Sequence, residues 1–175
     1  SSEEEKEDDE SSEEEQEEDE IERLSEKDKI EAFLGACRDG HKDRVRELVR
    51  NVDVDCCFKG VGNTGLHKAS RGGHLGVVNL LLQNGANVNA VNDGQNTALH
   101  CVNHLAHHGK AAAIAKVLIQ NGANVHAENS CKDAPLHVAS MCGNAGIAKL
   151  LIQNGADVNA FNEFKRSSLY LAANH

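Results

Sequence analysis

A single proline, Pro135, no tryptophan and only 3% aromatic residues rule out a core built around large rings. The interior has to be assembled from Leu, Ile, Val and Ala, which suits thin helices packed closely in layers. No apolar run approaches the roughly 20 residues that span a bilayer, and the start has no charged-then-apolar signal segment. No membrane insertion is expected in this segment. The six cysteines, Cys37, Cys56, Cys57, Cys101, Cys131 and Cys142, include no C-x-x-C pair. Reduced thiols in an intracellular protein, cytoplasmic or nuclear, are the expected state. G-x-S-x-G, G-x-x-x-x-G-K-[ST] and H-E-x-x-H are all missing, which removes the commonest nucleophile, phosphate-loop and zinc-hydrolase signatures.

The net charge of −10 divides unevenly. Residues 1–20, SSEEEKEDDESSEEEQEEDE, carry 14 of the 28 acidic residues and one of the 18 basic ones, so this stretch alone is −13 and the remainder +3. A run with no hydrophobic residue and such charge density reads as a disordered acidic tail, a solubilising or spacer segment. Ser11 and Ser12 precede three glutamates, an acidic context suited to phosphorylation by acidophilic kinases. Phosphate there would add charge directed at a basic partner. With +3 in the remainder and no stripe of Lys and Arg interleaved with aromatics, nucleic acid is not an expected partner.

Repetition dominates what is present. Residues 84–90 read NGANVNA, and nearly the same seven return as NGANVHA at 121–127 and NGADVNA at 154–160. A Leu-His pair lies upstream of each: Leu66-His67, Leu99-His100 and Leu136-His137. The spacing from His67 to His100 is 33 residues, from His100 to His137 it is 37, and from His137 to Tyr170 it is 33 again. The middle unit therefore holds four extra residues, placed between 104 and 110 as a lengthened turn between helices. In the unit at 59–91, Thr64 is expected to cap a helix, Gly73-His74 to turn the chain, and Asn84-Gly85 to end the second helix. Gly85, Gly122 and Gly155 mark left-handed positions after the last turn, and Val88, Val125 and Val158 are expected to re-enter the core.

A period near 33 with T-x-L-H starts and LLLQNGANVNA ends resembles the ankyrin repeat over residues 26–175. The resemblance implies an all-α solenoid of stacked helix-turn-helix units with β-hairpin tips, preceded by the acidic tail. The units would be a degenerate N-terminal capping repeat of two short helices at 21–58, repeats at 59–91, 92–128 (with the insertion) and 129–161, and a partial repeat at 162–175. The charged second helix of the first unit fits an end cap. The family places Gly two residues before the Thr. Gly62 conforms, but Gln95, Lys132 and Lys165 stand at the other three places, and the Thr itself becomes Ala134 and then Ser167, so the tips at 128–133 and 161–166 are expected to project differently.

Ten histidines raise the question of a metal. His100 and His104 are four apart on an expected helix, and His107 and His108 follow, but structural zinc normally recruits Cys or a recognisable His pair. The T-x-L-H mark accounts for His67, His100 and His137, whose imidazoles in this family bond the helix start and the neighbouring unit. Cys101 beside His100, or Cys142 near His137, makes a poor nucleophile-base pair, because neighbouring residues on a helix point in different directions. No cofactor, metal or catalytic site is expected, and the chain reads as no enzyme. By resemblance, Asn89 and Asn159 match the residue modified by an asparaginyl hydroxylase, with a structural bond to the next hairpin as the competing role.

The reading is a protein-protein interaction module, an adaptor or scaffold, that binds another protein through the concave face of the stack. Expected contacts are Arg38, Arg71, His104, His107, His108, Met141, Phe164, Lys165 and Arg166, since binding surfaces favour aromatic and Arg anchors. The segment is expected to be monomeric and to belong to the N-terminal part of a larger protein. The alternative is a regulatory or targeting arm of a larger enzyme or ion channel.

Overall fold

The computed structural model describes residues 21–58, 60–104 and 108–174, without the side chains of 104, 108 and 109. Among the described residues these α-helices follow one another: α1 (Glu26–Asp39), α2 (Lys42–Leu48), α3 (Gly65–Gly72), α4 (Leu75–Gln83), α5 (Ala98–Cys101), α6 (His108–Gln120), α7 (Pro135–Met141), α8 (Ala145–Gln153) and α9 (Ser168–Ala173). A 3₁₀ turn, Val102–His104, extends α5. No strand forms among the described residues; an isolated antiparallel bridge joins Phe161 and Ser167.

The helices make two rows. The inner row α1, α3, α5, α7, α9 packs each member on the next, as does the outer row α2, α4, α6, α8, and each inner helix contacts the outer helix that follows it. One continuous core runs between the rows through Phe33, Val45, Leu66, Leu81, Leu99, Ile114, Leu118, Leu136, Ile147 and Leu151, none more than 2% exposed. Units this small cannot bury their apolar faces alone, so the neighbour completes each of them.

The N-G-A triplet ends α4, α6 and α8 by three separate devices. The side chains of Asn84, Asn121 and Asn154 each donate to a carbonyl four residues back at 2.8 Å. Gly85, Gly122 and Gly155 take φ of 84°, 87° and 89°. Ala86, Ala123 and Ala156 then donate N–H to Leu81, Leu118 and Leu151, the wide bond of a Schellman end, and are themselves buried.

Several expectations change here. The first unit's inner helix is not short: α1 has 14 residues, begun by the Ser25 hydroxyl accepting from the Asp28 N–H. The four extra residues of the middle unit do not simply lengthen a turn. α6 ends in register with α4 but starts four residues earlier, so the insertion adds one helical turn to the outer helix. His104 consequently sits in the 3₁₀ turn and not on one α-helix with His100. Val125 is buried and Val88 packs against the core, but Val158 is 44% exposed, because no outer helix after α8 covers it among the described residues.

Candidate functional site

The inner helices α3, α5 and α7 are each pinned by a histidine. Nδ1 of His67 faces the Thr64 backbone N–H at 3.3 Å and the Thr64 hydroxyl at 2.9 Å, while Nε2 meets the Asn96 carbonyl at 2.8 Å. An N–H on one side and a carbonyl on the other fix the neutral tautomer with its proton on Nε2. His100 repeats this with Thr97 and the Asp133 carbonyl, and His137 with the Ala134 N–H and the Ala160 carbonyl. Thr64 is the N-cap residue of α3, as expected, in a reciprocal arrangement with His67: the ring accepts from the Thr64 N–H, and the Thr64 hydroxyl turns to the same nitrogen. The same ring acceptor starts α7 behind Ala134, which has no side-chain oxygen. Burial pushes the His67 and His100 pKa values down. Protonating Nδ1 would set a ring N–H against a backbone N–H.

A second periodic device, absent from the sequence reading, shapes the hairpin tips. The Oδ1 atoms of Asn92, Asn129 and Asn162 each accept from two N–H groups of their own tip, at 2.9 to 3.0 Å. Their Nδ2 groups reach back to the preceding tip, to Asn63, Asn96 and Asp133, at 2.8, 3.1 and 2.8 Å. Backbone bonds Asp93 to Val61, Ser130 to Gly94 and Glu163 to Cys131 run in the same phase. Held this way, Gln95, Lys132 and Lys165 adopt φ of 56°, 54° and 56°, close to the 65° of Gly62. The tips thus share one backbone shape, contrary to the expectation that later ones project differently; the Asx ladder imposes a conformation that costs a non-glycine residue about 1 kcal/mol or more.

These devices commit the chain's polar groups to structure. Both nitrogens of His100 are occupied, so it is no base for Cys101, whose thiol burial pushes up to about 11; Cys37 is pushed up to about 12 in the same way. All six cysteines are free thiols. Asn89 is likewise engaged: Nδ2 donates to the Gly122 carbonyl at 3.0 Å and Oδ1 accepts from the Asn124 N–H at 2.8 Å. Asn159 is exposed, its own N–H held by Asp157. Ser11, Ser12 and His107 lie outside the described residues, as do the side chains of His104 and His108. No group of three metal-type ligands occurs among the described residues.

The expected contact residues fall into separate clusters. Arg38 from α1 and Arg71 from α3 come together around a cavity of about 320 Å³, lined also by Asn63, His67, Lys68, Gly72 and Cys101. Lys68 was missed by sequence reasoning, although it stands three residues before Arg71 on one helix face. Arg38 is ion-paired with Asp39 at 2.8 Å, and that bond holds the Asp39 carboxyl below its usual range. The cavity lining contains no acidic side chain. Far along the stack, Phe164, Lys165 and Arg166 occupy the last tip, with the Arg166 guanidinium 5.4 Å from the centre of the 58% exposed Phe164 ring. Met141, 39% exposed at the end of α7, lines neither this cavity nor the larger one of about 480 Å³ between α7, α8 and α9, which is chiefly apolar.

No helix among the described residues is long and apolar enough to cross a membrane. The family model for ankyrin repeats (3 copies) matches residues 33–104 and again 102–175. No curated protein matches the chain.

Proposed function

Because the chain belongs to the ankyrin-repeat family, whose repeats generally serve as protein-interaction modules, we propose that it is a non-catalytic adaptor or scaffold inside the cell. It would bind a protein partner on the inner-helix side of the stack. The observation that carries this reading is the contrast in how polar groups are used. The repeated His and Asn side chains are consumed by bonds between units, whereas Arg38, Lys68 and Arg71 line an open cavity and Phe164, Lys165 and Arg166 project from a tip. A surface already held in shape loses little ordering entropy on association.

Substituting Arg71, Met141 and Phe164 together by Ala tests the placement. All three are exposed, so the fold should survive, and affinity for a captured partner should fall at least about tenfold if any one of them is an anchor. Unchanged affinity with an intact helical spectrum would rule this face out. Hydroxylation of Asn89 or Asn159 is a further part of the proposal; mass spectrometry of protein from cells showing no added oxygen on either residue would remove it.

A further inference from the structure

The cations of this chain are not equivalent. On the outer side, Arg44 pairs with Glu47 and Arg46 with Asp43 within α2. On the inner side, Arg38 is shared with Asp39, but Lys68 and Arg71 have no acidic partner among the described residues, although they sit three residues apart at one cavity. The same chain carries a −13 segment at residues 1–20. We propose that residues 3–10, EEEKEDDE, dock in the Arg38, Lys68 and Arg71 cavity, so that the chain's own acidic segment covers the groove until a partner displaces it. The proposal rests on the inner side being the binding face.

Reach permits it. α1 is about 21 Å long at 1.5 Å per residue, and its last turn delivers Arg38 to the cavity. Ten residues, the number between 10 and 21, can span at most about 33 Å, more than the length of α1. Tethering holds the acidic segment at a local concentration on the order of millimolar, enough for a contact that would be weak between separate molecules. Charge complementarity selects this cavity, where Lys68 and Arg71 have no acidic partner among the described residues and the lining holds no carboxylate, over the α2 surface, where Arg44 and Arg46 are already paired. The contact is therefore strongly dependent on salt.

Zero-length carbodiimide coupling on the whole chain tests this directly, by joining Lys68 to any carboxylate that touches it. At about 20 mM salt, mass spectrometry should find Lys68 joined to residues 3–10 within one chain. The yield should fall at least about tenfold at about 0.5 M salt, where screening acts within a few ångströms. It should fall similarly in Arg71→Glu, an exposed change. In parallel, the full chain with Gln or Asn at its seven acidic positions between 3 and 10 should shift the backbone amide resonances of Lys68, Arg71 and Gly72. Coupling to Lys68 no greater than to the outer-side Lys116 and Lys149, or preferential coupling to Lys132 and Lys165, overturns the proposal, as does an unchanged amide spectrum. A partner that still requires Arg71, Met141 and Phe164 would then leave the binding face standing while the docking falls.

Discussion

Leu66, Leu99, Leu136 and Leu169 occupy the same place in successive units, yet the first three are 1%, 0% and 2% exposed and the fourth is 78% exposed. The residue beside them shows the same break: His67, His100 and His137 are each 1% exposed, and Tyr170 is 54% exposed. Backbone structure does not differ in parallel, since α9 starts behind an extended Ser167 with the same first helical bond, although its cap is the Ser167 hydroxyl and not an imidazole. Burial here is a property of the junction between units and not of the unit's sequence, because nothing among the described residues packs on the far side of α9. A repeat sequence of this kind encodes interfaces, and its stability is a sum of local and nearest-neighbour contributions.

The largest effects should separate the two regions. Leu99→Ala should cost about 3 kcal/mol in urea unfolding, the usual range for emptying a closed core site, while Leu169→Ala stays within about 0.5 kcal/mol. Comparable losses at both would break the comparison. His100→Ala should cost about 2 to 3 kcal/mol, because it strands the buried Thr97 N–H and the Asp133 carbonyl together, whereas Tyr170→Ala should be nearly silent. A third pair sharpens the contrast from the other side. Gly85 and Gly155 have φ of 84° and 89° with no atom within 4 Å of an added Cβ, so Val at either position meets backbone strain alone. Both variants should lose a similar 1 to 2 kcal/mol, an equality expected only if this contribution is local. Unequal losses would show that the helix ends also depend on their neighbours.

Smaller still is the effect of pH. The pKa values of His67 and His100 are lowered on folding from the ordinary 6.5 by burial, so the unfolded chain binds protons first as pH falls. Their contribution to stability is fully present above about pH 6.5 and is lost progressively as pH drops through the lowered values. Unfolding midpoints between pH 8 and pH 5 should decline, and a His100→Gln variant should decline less steeply. A flat profile in the wild type would remove the neutral, doubly bonded imidazole from the account.

Much of this was legible in the residues. The N-G-A ends, the T-x-L-H starts and Pro135 at the first position of α7 are local signals with local causes, and each one forms. The Asn ladder was not legible, because Asn92, Asn129 and Asn162 look like ordinary turn formers until the preceding tip is seen beside them. The place of the insertion was not legible, because Gly109 is accommodated in the first turn of α6, where backbone N–H groups have no intrahelical partner, and nothing local marks that turn as helical. Lys68 was overlooked for a similar reason. Its spacing from Arg71 was visible, but the cavity that gives the pair meaning is made with α1 and α5.

The same first-turn hydrogen bond recurs in four units, from Lys68 to Thr64, Cys101 to Thr97, Val138 to Ala134 and Leu171 to Ser167, at 3.2, 3.2, 3.3 and 3.0 Å. Native-state amide hydrogen exchange at these four positions therefore compares one bond in different company. If neighbours supply the stability, Leu171 should exchange at least about 100-fold faster than Cys101, equivalent to about 3 kcal/mol. Equal protection at Leu171 and Cys101 would mean that each unit holds itself together, and would contradict the central claim.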